Sequence, residues 1–297
     1  MREELIYHDR FMSAKAAIMD AVSRCDKGDP QLLPVFGPTR VGKTTLLNHS
    51  IREIIEQRKD EKSVISVVSP KHLTGRALPD ACLAAIGMSQ SMFRNHIVAT
   101  DAFIKAVHKR KTCLIVFDET QHMLERGSST TLRAAADFLK LIFDQTGASI
   151  VISGLPSAEG LFNANEQLAD RARRPVRFYP YDWHGADYTH FRAALAGPLE
   201  YLCDQGWETF DVRDREFARR MYVATAGRFG LIWKIFMEVQ ATGEPGVADY
   251  QMFAHVFEET VDNRLIDFNP FDPALALKDE LMAMAYGGIM REAGVKV

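Results

Sequence analysis

The sequence predicts an α/β fold in which a doubly wound parallel sheet of five strands is followed by a helical C-terminal region. Three observations carry this prediction. Between residues 32 and 185, short apolar runs alternate with longer stretches of helical periodicity, as in sheets built with crossover helices. A glycine-rich loop separates the first apolar run from the first such helix. From about residue 186 the periodicity is mainly helical, which indicates a separate lid.

Composition limits the classes of protein that this chain can represent. Of its 297 residues, 47% are hydrophobic and 25% are charged, as in ordinary globular proteins. The net charge of -3 excludes a global positive field, so any DNA contact must use a local patch. The four cysteines form no C-x-x-C pair, which favours reduced thiols over a zinc site. The N-terminal segment is charged from its second residue and no apolar run follows it, and no stretch approaches the length of a membrane span, so a cytoplasmic protein without membrane contact is expected.

The elements of the predicted core follow from local patterns. A leader helix over residues 9–25 lies within an N-terminal region, 1–31, that closes at "DKGDP". The core, 32–185, has five predicted strands: "LLPVF" (32–36), "SVISVVSP" (63–70), "TCLIVFDE" (112–119), "ASIVISG" (148–154) and "RPVRFYPYDW" (174–183). Helices are predicted between these strands at 43–58, within 77–110 and at 131–147.

The region after the core is predicted to form a lid over residues 186–265. Its candidate helices are 187–204, 213–225, 230–241 and 248–264. The tail, 266–297, contains two prolines and then a Met-rich apolar stretch. That composition fits a short helix packed on its own domain, and it also fits a segment that binds a partner.

The run "GPTRVGKT" matches the phosphate-loop pattern G-x-x-x-x-G-K-[ST] in full, between a strand and a helix. Gly37 and Gly42 let the backbone curl so that its N–H groups converge on phosphate oxygens. Lys43 is expected to reach the β- and γ-phosphates, and the hydroxyl of Thr44 to bind Mg²⁺. ATP and Mg²⁺ are therefore the predicted cofactors. The predicted nucleotide-binding residues of this loop are Gly37, Pro38, Thr39, Arg40, Val41, Gly42, Lys43, Thr44 and Thr45.

Two acids end the third predicted strand, "CLIVFDE". Asp118 is expected to hold the Mg²⁺ shell with Thr44, and Glu119 to polarise a water aimed at the γ-phosphate. Ser153 ends the next strand, and its hydroxyl is a candidate hydrogen-bond partner of the γ-phosphate or of the attacking water. Hydrolysis of ATP is therefore predicted in addition to binding.

Four arginines precede the last predicted strand, namely Arg171, Arg173, Arg174 and Arg177. A guanidinium from a neighbouring subunit could reach the bound γ-phosphate, because its planar fork suits transition-state charge. Active sites shared between subunits would then follow. A solvated basic turn or contacts to a DNA backbone are the alternatives, and for the arginines other than Arg171 the solvated turn is preferred.

Together these features resemble the AAA+ ATPases: a phosphate loop, an acid strand, a polar strand end, an arginine before the fifth strand and a helical lid. The runs "IYHDRF", "FDETQHML" and "EQLADRARRPVRF" resemble, more closely, the TniB/TnsC family of transposition regulators over about residues 5–265. The resemblance implies that Arg171 acts in trans. It also implies a homo-oligomeric ring or helical filament on double-stranded DNA, recruitment of a TniQ-type targeting protein and stimulation of a DDE transposase.

The lid departs from the family pattern. Relatives often carry an arginine within a glycine-bounded helix start, but in "AGRFGLIWKIF" that position is Leu231, and Arg228 lies three residues earlier. Arg228 is therefore a candidate nucleotide sensor whose role is left open. Slow hydrolysis that is stimulated by DNA or a partner is expected.

Two basic segments are candidates for DNA contact. The preferred one is "SPKHLTGR", with Lys71, His72, Thr74 and Arg76; the other is "KAVHKRK", with Lys105, Lys109, Arg110 and Lys111, which also fits a solvated helix end. Few phosphates are neutralised by either segment, so stable binding would require many subunits along one duplex. Backbone contacts do not read bases, so little sequence preference is expected.

Three functions fit these features. The preferred one is an ATP-gated adaptor that oligomerises on target DNA, links a targeting protein to a transposase and is dismantled by hydrolysis. A helicase-loading or remodelling ATPase of the DnaC/IstB kind, or a signalling NTPase with protein partners only, is the second. A scaffold that binds ATP without turnover is the third, and Glu119 argues against it. The sequence leaves open the number of subunits per turn and the identity of the partners.

Overall fold

The computed structural model describes residues 8–125, 129–261 and 266–295. In chain order, the first elements are α1 (Asp9–Asp26), β1 (Leu32–Phe36), α2 (Lys43–Arg58), β2 (Val64–Val68), α3 (Ala77–Ala85), α4 (His96–Arg110), β3 (Leu114–Asp118), α5 (His122–Glu125), α6 (Ser129–Thr146), β4 (Ser149–Gly154), α7 (Gly160–Asn163), α8 (Glu166–Arg171) and β5 (Val176–Arg177). They are followed by α9 (Gly185–Ala194), α10 (Ala196–Asp204), α11 (Arg215–Thr225), α12 (Phe229–Ala241), α13 (Tyr250–Thr260) and α14 (Asp279–Glu292). None of the described helices is long and apolar enough to cross a membrane.

The chain divides into two compact units. One, the α/β unit, comprises Ser13–Gly37 and Lys43–Phe178. The other, the helical unit, comprises the chain from Tyr179 onward, the loop segment Pro38–Gly42 and the described residues through Met12.

The α/β unit contains the predicted five-stranded parallel sheet, in the order β2-β3-β4-β1-β5. Every residue of β1, β3 and β4 is buried, because helices cover both faces of a parallel sheet. In β2, at one edge, Ser66 and Val68 are exposed. Because β3, β4 and β1 are adjacent and parallel, their carboxyl ends lie together at one edge of the sheet.

The fifth strand is much shorter than the predicted run of 174–183, since only Val176 and Arg177 pair with β1. Pro175 and Pro180 bracket this segment and have no N–H to donate to a sheet ladder. The β-rich composition of the run therefore overstated the length of its strand.

Three predicted helical stretches also differ from the structure. The stretch at 77–110 is divided into α3 and α4, with Gly87 in a left-handed conformation after α3 and Asn95 capping α4. The predicted helix at 187–204 is divided near Leu195, because Pro198 in the first turn of α10 cannot donate to a preceding helix. The last predicted lid helix, 248–264, is α13 and ends at Thr260; residues 262–264 lie outside the described residues.

The helical unit is built around a core of aromatic side chains that includes Phe217, Phe236, Phe253 and Phe271. Its C-terminal segment folds as α14, which packs against α11. The buried guanidinium of Arg220 donates to the backbone carbonyls of Pro270, Asp272 and Leu275. These bonds fasten the segment before α14 to α11, so the tail is a folded part of this unit.

Candidate nucleotide-binding site

The glycine-rich loop leaves β1 at Phe36 and enters α2 at Lys43. Its backbone takes left-handed conformations at Arg40 (φ 62°) and Gly42 (φ 103°), and the second of these is accessible mainly to glycine. Thr39, Arg40, Thr44 and Thr45 are exposed, whereas Pro38 and Val41 are buried. A curled loop with exposed polar residues at the start of a helix is the arrangement that binds phosphate groups.

The ammonium group of Lys43 is buried in the α/β unit. Its Nζ donates to the carbonyl oxygen of Gly37 at 2.7 Å. Burial lowers the pKa of Lys43 to about 8, and the nearby carboxylates of Glu119 and Asp118 oppose that shift. Lys43 is therefore a desolvated cation held beside two acids at the end of the sheet.

Asp118 is the centre of the hydrogen-bond network in this unit. Its Oδ1 accepts from the Ser153 hydroxyl at 2.8 Å and from the backbone N–H of Glu119 at 2.9 Å. Its other oxygen, Oδ2, lies 3.4 Å from the hydroxyl of Thr44. Thr44 and Asp118 are thus adjacent oxygen donors, which is the ligand type that Mg²⁺ prefers.

The structure places Ser153 differently from the sequence-based expectation. Ser153 is fully buried, and it donates its hydroxyl proton to Asp118. That proton is therefore not directed at a phosphate or a water. Ser153 instead orients the carboxylate that is the candidate Mg²⁺ ligand.

Glu119 follows Asp118 with a left-handed backbone (φ 55°), which is uncommon for a residue other than glycine. Its side chain is 40% exposed, and its carboxylate accepts a hydrogen bond from the amide of Gln121. Gln121 is only 5% exposed, and its Oε1 accepts the backbone N–H of Leu155 at 3.0 Å. The amide of Gln121 therefore connects the candidate general base to the end of β4. The sequence alone does not single out Gln121, although it lies within the run "FDETQHML".

A second set of bonds fixes the same turn to β4. The backbone N–H and the hydroxyl of Thr120 both donate to the carbonyl oxygen of Ser153, at 3.0 and 2.9 Å. Gly154 leaves room for this contact, because a Cβ there would lie 2.7 Å from both Gln121 Oε1 and Thr120 Oγ1. Glycine is required at residue 154 by packing.

Ser69, just after β2, contributes one more polar atom to this edge of the sheet. Its backbone N–H donates to the carbonyl oxygen of Asp118 at 3.0 Å. Its hydroxyl is buried and has no hydrogen-bond partner among the described residues. Buried hydroxyl groups normally form a hydrogen bond, so a ligand or a water molecule is expected to bond to the Ser69 hydroxyl.

In the helical unit, the loop segment 38–42 lies against the start of α12. A Cβ at Gly230 would lie 2.6 Å from the carbonyl oxygen of Arg40 and 3.0 Å from the backbone nitrogen of Gly42. Arg228 caps α12 and is buried, with its Nε donating to the Thr225 carbonyl oxygen at 2.8 Å. Burial and then Arg40 lower the pKa of Arg228 to about 10, and Glu292 opposes this shift.

The position at which the family pattern expects an arginine is not available to a ligand. Leu231 is fully buried in the core of the helical unit. Arg228, by contrast, has its charge near Arg40 of the glycine-rich loop. Arg228 is therefore the better candidate for a lid arginine that senses nucleotide.

Arg171, the candidate trans-acting arginine, is paired within its own chain. Its Nε and Nη2 donate to the two carboxylate oxygens of Asp144 at 2.6 and 3.0 Å, and its side chain is one-third exposed. Arg173 pairs with Asp20, and Arg177 with Glu159. Arg174 is exposed. The motif "IYHDRF" begins outside the described residues, at Ile6 and Tyr7, and continues through His8–Phe11.

Each of the two predicted DNA-contact segments contains exposed polar or basic side chains and one basic side chain that is paired with an aspartate. Lys71, His72 and Thr74 are exposed on a loop after β2. The guanidinium of Arg76 is instead paired with Asp80 at 2.9 Å and donates to the carbonyl oxygen of Gln90. In the second segment, Lys105 pairs with Asp101 at 2.6 Å, and Lys109 and Lys111 are exposed around the end of α4.

These residues fit a nucleotide and its metal. The α/β unit supplies a buried ammonium, two adjacent oxygen donors, a carboxylate oriented by an amide and a hydroxyl without a partner. Such a set can neutralise phosphate charge and hold a proton acceptor near it. The order of the strands and these residues together are those of a P-loop ATPase fold of the AAA+ class.

A family model described as the bacterial TniB protein matches residues 1–178, more than half of the chain. The chain belongs to the TniB family. A search of curated proteins finds no match.

Solved structures with the same fold share little sequence with this chain. The Aeropyrum pernix ORC2 protein, solved as ADPNP–ADP complexes, is 14% identical with a TM-score of 0.60, over 86% of this chain and 70% of that one. Cdc6p from Pyrobaculum aerophilum is 11% identical with a TM-score of 0.62, over 99% and 84%. A Walker-type ATPase of Pyrococcus abyssi is 15% identical with a TM-score of 0.52, over 87% and 72%. At these identities the likeness concerns the fold.

Proposed function

We propose that this protein is an ATP-driven regulator of transposition. It binds ATP and Mg²⁺ at the glycine-rich loop and assembles as a homo-oligomer on double-stranded DNA. There it links a TniQ-type targeting protein to a DDE transposase, and hydrolysis dismantles the assembly. Membership of the TniB family supports the biological context. The single observation that supports the chemistry is the carboxylate of Asp118, which lies beside Thr44 and is oriented by Ser153.

The chemistry assigned to the α/β unit follows from its charges. Lys43 binds the β- and γ-phosphates, and Thr44 with Asp118 holds the metal. When bound, Mg²⁺ neutralises charge on the phosphate oxygens. Glu119 orients a water and accepts its proton as the water attacks the γ-phosphorus; the bond to the bridging oxygen breaks and ADP leaves.

Arg171 would couple the assembly of subunits to the hydrolysis of ATP. In the proposed oligomer it leaves Asp144 and approaches the γ-phosphate bound to a neighbouring subunit. A guanidinium stabilises the charge that develops during phosphoryl transfer, so a lone subunit would hydrolyse ATP slowly. Loss of the γ-phosphate would remove the contact and loosen the interface between subunits.

Contact with DNA is assigned to the exposed loop residues Lys71, His72 and Thr74, with Arg76 beside them. These groups reach phosphates and not base edges, so the polymer would cover duplex DNA with little regard to sequence. The small number of charges per subunit makes binding depend on the number of subunits.

The test is growth of filaments on duplex DNA by Lys43→Ala, with exposed Lys27→Ala as the matched control. Nucleotide binding, measured with a fluorescent ATP analogue, and filaments, counted by electron microscopy, should be lost together in Lys43→Ala only. Filaments that form without ATP, or in the Lys43→Ala variant, would contradict the gating. Binding limited to single-stranded DNA would favour a helicase loader, and turnover unaffected by any DNA would favour a signalling NTPase.

A further inference from the structure

The helical unit contains a cavity of about 350 Å³ that the nucleotide chemistry does not use. Its lining includes three arginines and three ring side chains: Arg192, Arg215, Arg219, Trp183, His184 and Tyr188. Cavities of this size are within the range that binds small ligands or parts of larger ones. The concentration of positive charge in so small a space indicates the class of ligand.

The three guanidiniums reach the cavity from two helices. Arg192 lies on α9, while Arg215 and Arg219 lie one turn apart on the same face of α11. Asp279, which also lines the cavity, pairs with Arg219 at 2.7 Å. Among the residues that line the cavity, three arginines therefore face one carboxylate. Repulsion between the guanidinium groups is only partly offset by Asp279, so an anion would be bound favourably.

Two of the arginines have unused donors. The Nε groups of Arg192 and Arg219 are buried and have no hydrogen-bond partner among the described residues. The Nη2 of Arg192 makes only a long bond, 3.4 Å, to the carbonyl oxygen of Arg213. A buried donor without a partner is unfavourable, so these two guanidiniums keep unused capacity to bind an acceptor.

We propose that this cavity binds backbone phosphates of double-stranded DNA. Guanidinium forks match phosphate oxygens in geometry as well as charge. Arg215 and Arg219 are about 6 Å apart along the helix axis, which suits successive phosphates better than a single carboxylate. Trp183 and Tyr188 also line the cavity and could pack against the attached sugar. This contact goes beyond the proposed function, which takes its DNA contacts from residues 71–76 of the α/β unit.

The experiment uses Arg215→Gln, because Arg215 is exposed and its loss should leave the fold intact. Arg213→Gln is the matched control. Arg213 lies two residues before Arg215 and carries the same charge, but its side chain does not line the cavity. Affinity for a labelled duplex is measured by anisotropy over a range of salt, with a non-hydrolysable ATP analogue present. Arg215→Gln should weaken binding and lower the salt slope by about 1 per protomer, while Arg213→Gln matches the wild type.

Other results would overturn the inference. Equal slopes for Arg215→Gln and the wild type would remove the cavity from DNA binding and leave the proposed function standing. Loss of binding to polyglutamate, with DNA binding unchanged, would assign the cavity to acidic protein partners. A thermal shift of the wild type by inorganic phosphate, with the salt slope unchanged in Arg215→Gln, would assign it to free phosphate. Absence of duplex binding by the wild type would defeat both the inference and the DNA-binding part of the proposed function.

Discussion

The side-chain amide of Gln121 donates to the carboxylate of Glu119, while its carbonyl oxygen accepts the backbone N–H of Leu155. One buried residue therefore connects the proposed general base to the strand that carries Ser153. Two consecutive residues therefore hold the turn that bears Glu119 to the end of β4, because Thr120 also donates twice to the carbonyl oxygen of Ser153.

Removal of this amide should reduce turnover more than nucleotide binding. In Gln121→Leu, Glu119 keeps its charge but loses the group that orients it, and orientation typically contributes 10-fold or more to a proton-transfer step. Steady-state kinetics should show a kcat lowered by about 10-fold or more with a nearly unchanged KM. Exposed Gln57→Leu is the control. An unchanged kcat, or a rise in KM alone, would show that Gln121 does not position the base.

The close packing at Gly154 predicts a sharp difference between two glycine substitutions. Gly154→Ala forces a Cβ against Gln121 and Thr120, so it should cost about 1–3 kcal/mol of unfolding free energy and most of the ATPase activity. Gly75→Ala meets no atom within 4 Å and should leave both unchanged. Urea denaturation and turnover measured on the two variants test this. Equal stability of the two variants would be inconsistent with the packing.

His8 predicts a specific loss of stability in acid. Its ring is buried in the helical unit, with Nδ1 2.8 Å from the hydroxyl of Tyr181, and burial with nearby Arg10 lowers its pKa to about 4. The unfolded chain binds a proton near pH 6.5, so the stabilising contribution is complete above that pH and is lost as pH falls from 6.5 to 4. Between pH 7 and pH 5 the loss is about 2 kcal/mol.

The measurement compares unfolding free energies at pH 7 and pH 5 for the wild type and His8→Phe. The variant keeps a ring against Phe229, which lies 4.3 Å from His8 between ring centroids, and it should lack this part of the pH dependence. Exposed His190→Gln should behave as the wild type. A pH dependence of the same size in His8→Phe would show that His8 does not titrate in this window.

Local patterns carry most of the prediction of a nucleotide site. The loop 37–44 and the acids Asp118 and Glu119 are defined by neighbours in the sequence, and the sheet follows from runs of buried strand. The parallel five-stranded sheet and the helical C-terminal region are confirmed. The assignment to the TniB family is also confirmed. The roles of the individual site residues stay predictions.

What the sequence could not supply depends on contacts between distant residues. The link from Gln121 to Leu155 spans 34 positions, and the bonds from Arg220 to the carbonyl oxygens of Pro270, Asp272 and Leu275 span 50, 52 and 55. The direction of the Ser153 hydroxyl toward Asp118 was missed for the same reason. The length of β5 was overestimated because proline limits strand pairing, although aromatic and β-branched residues favour it.

The most direct test of the central claim, that Arg171 completes a neighbour's active site, mixes two inactive variants. Glu119→Gln keeps the glycine-rich loop but lacks the base, and Arg171→Ala cannot complete a neighbour's site, so each alone should show little DNA-stimulated turnover. In an equal mixture, about one interface in four joins an intact base to an intact arginine, so ATPase activity should return to about a quarter of the wild-type rate. No recovery on mixing, or full activity of Arg171→Ala by itself, would contradict the shared site.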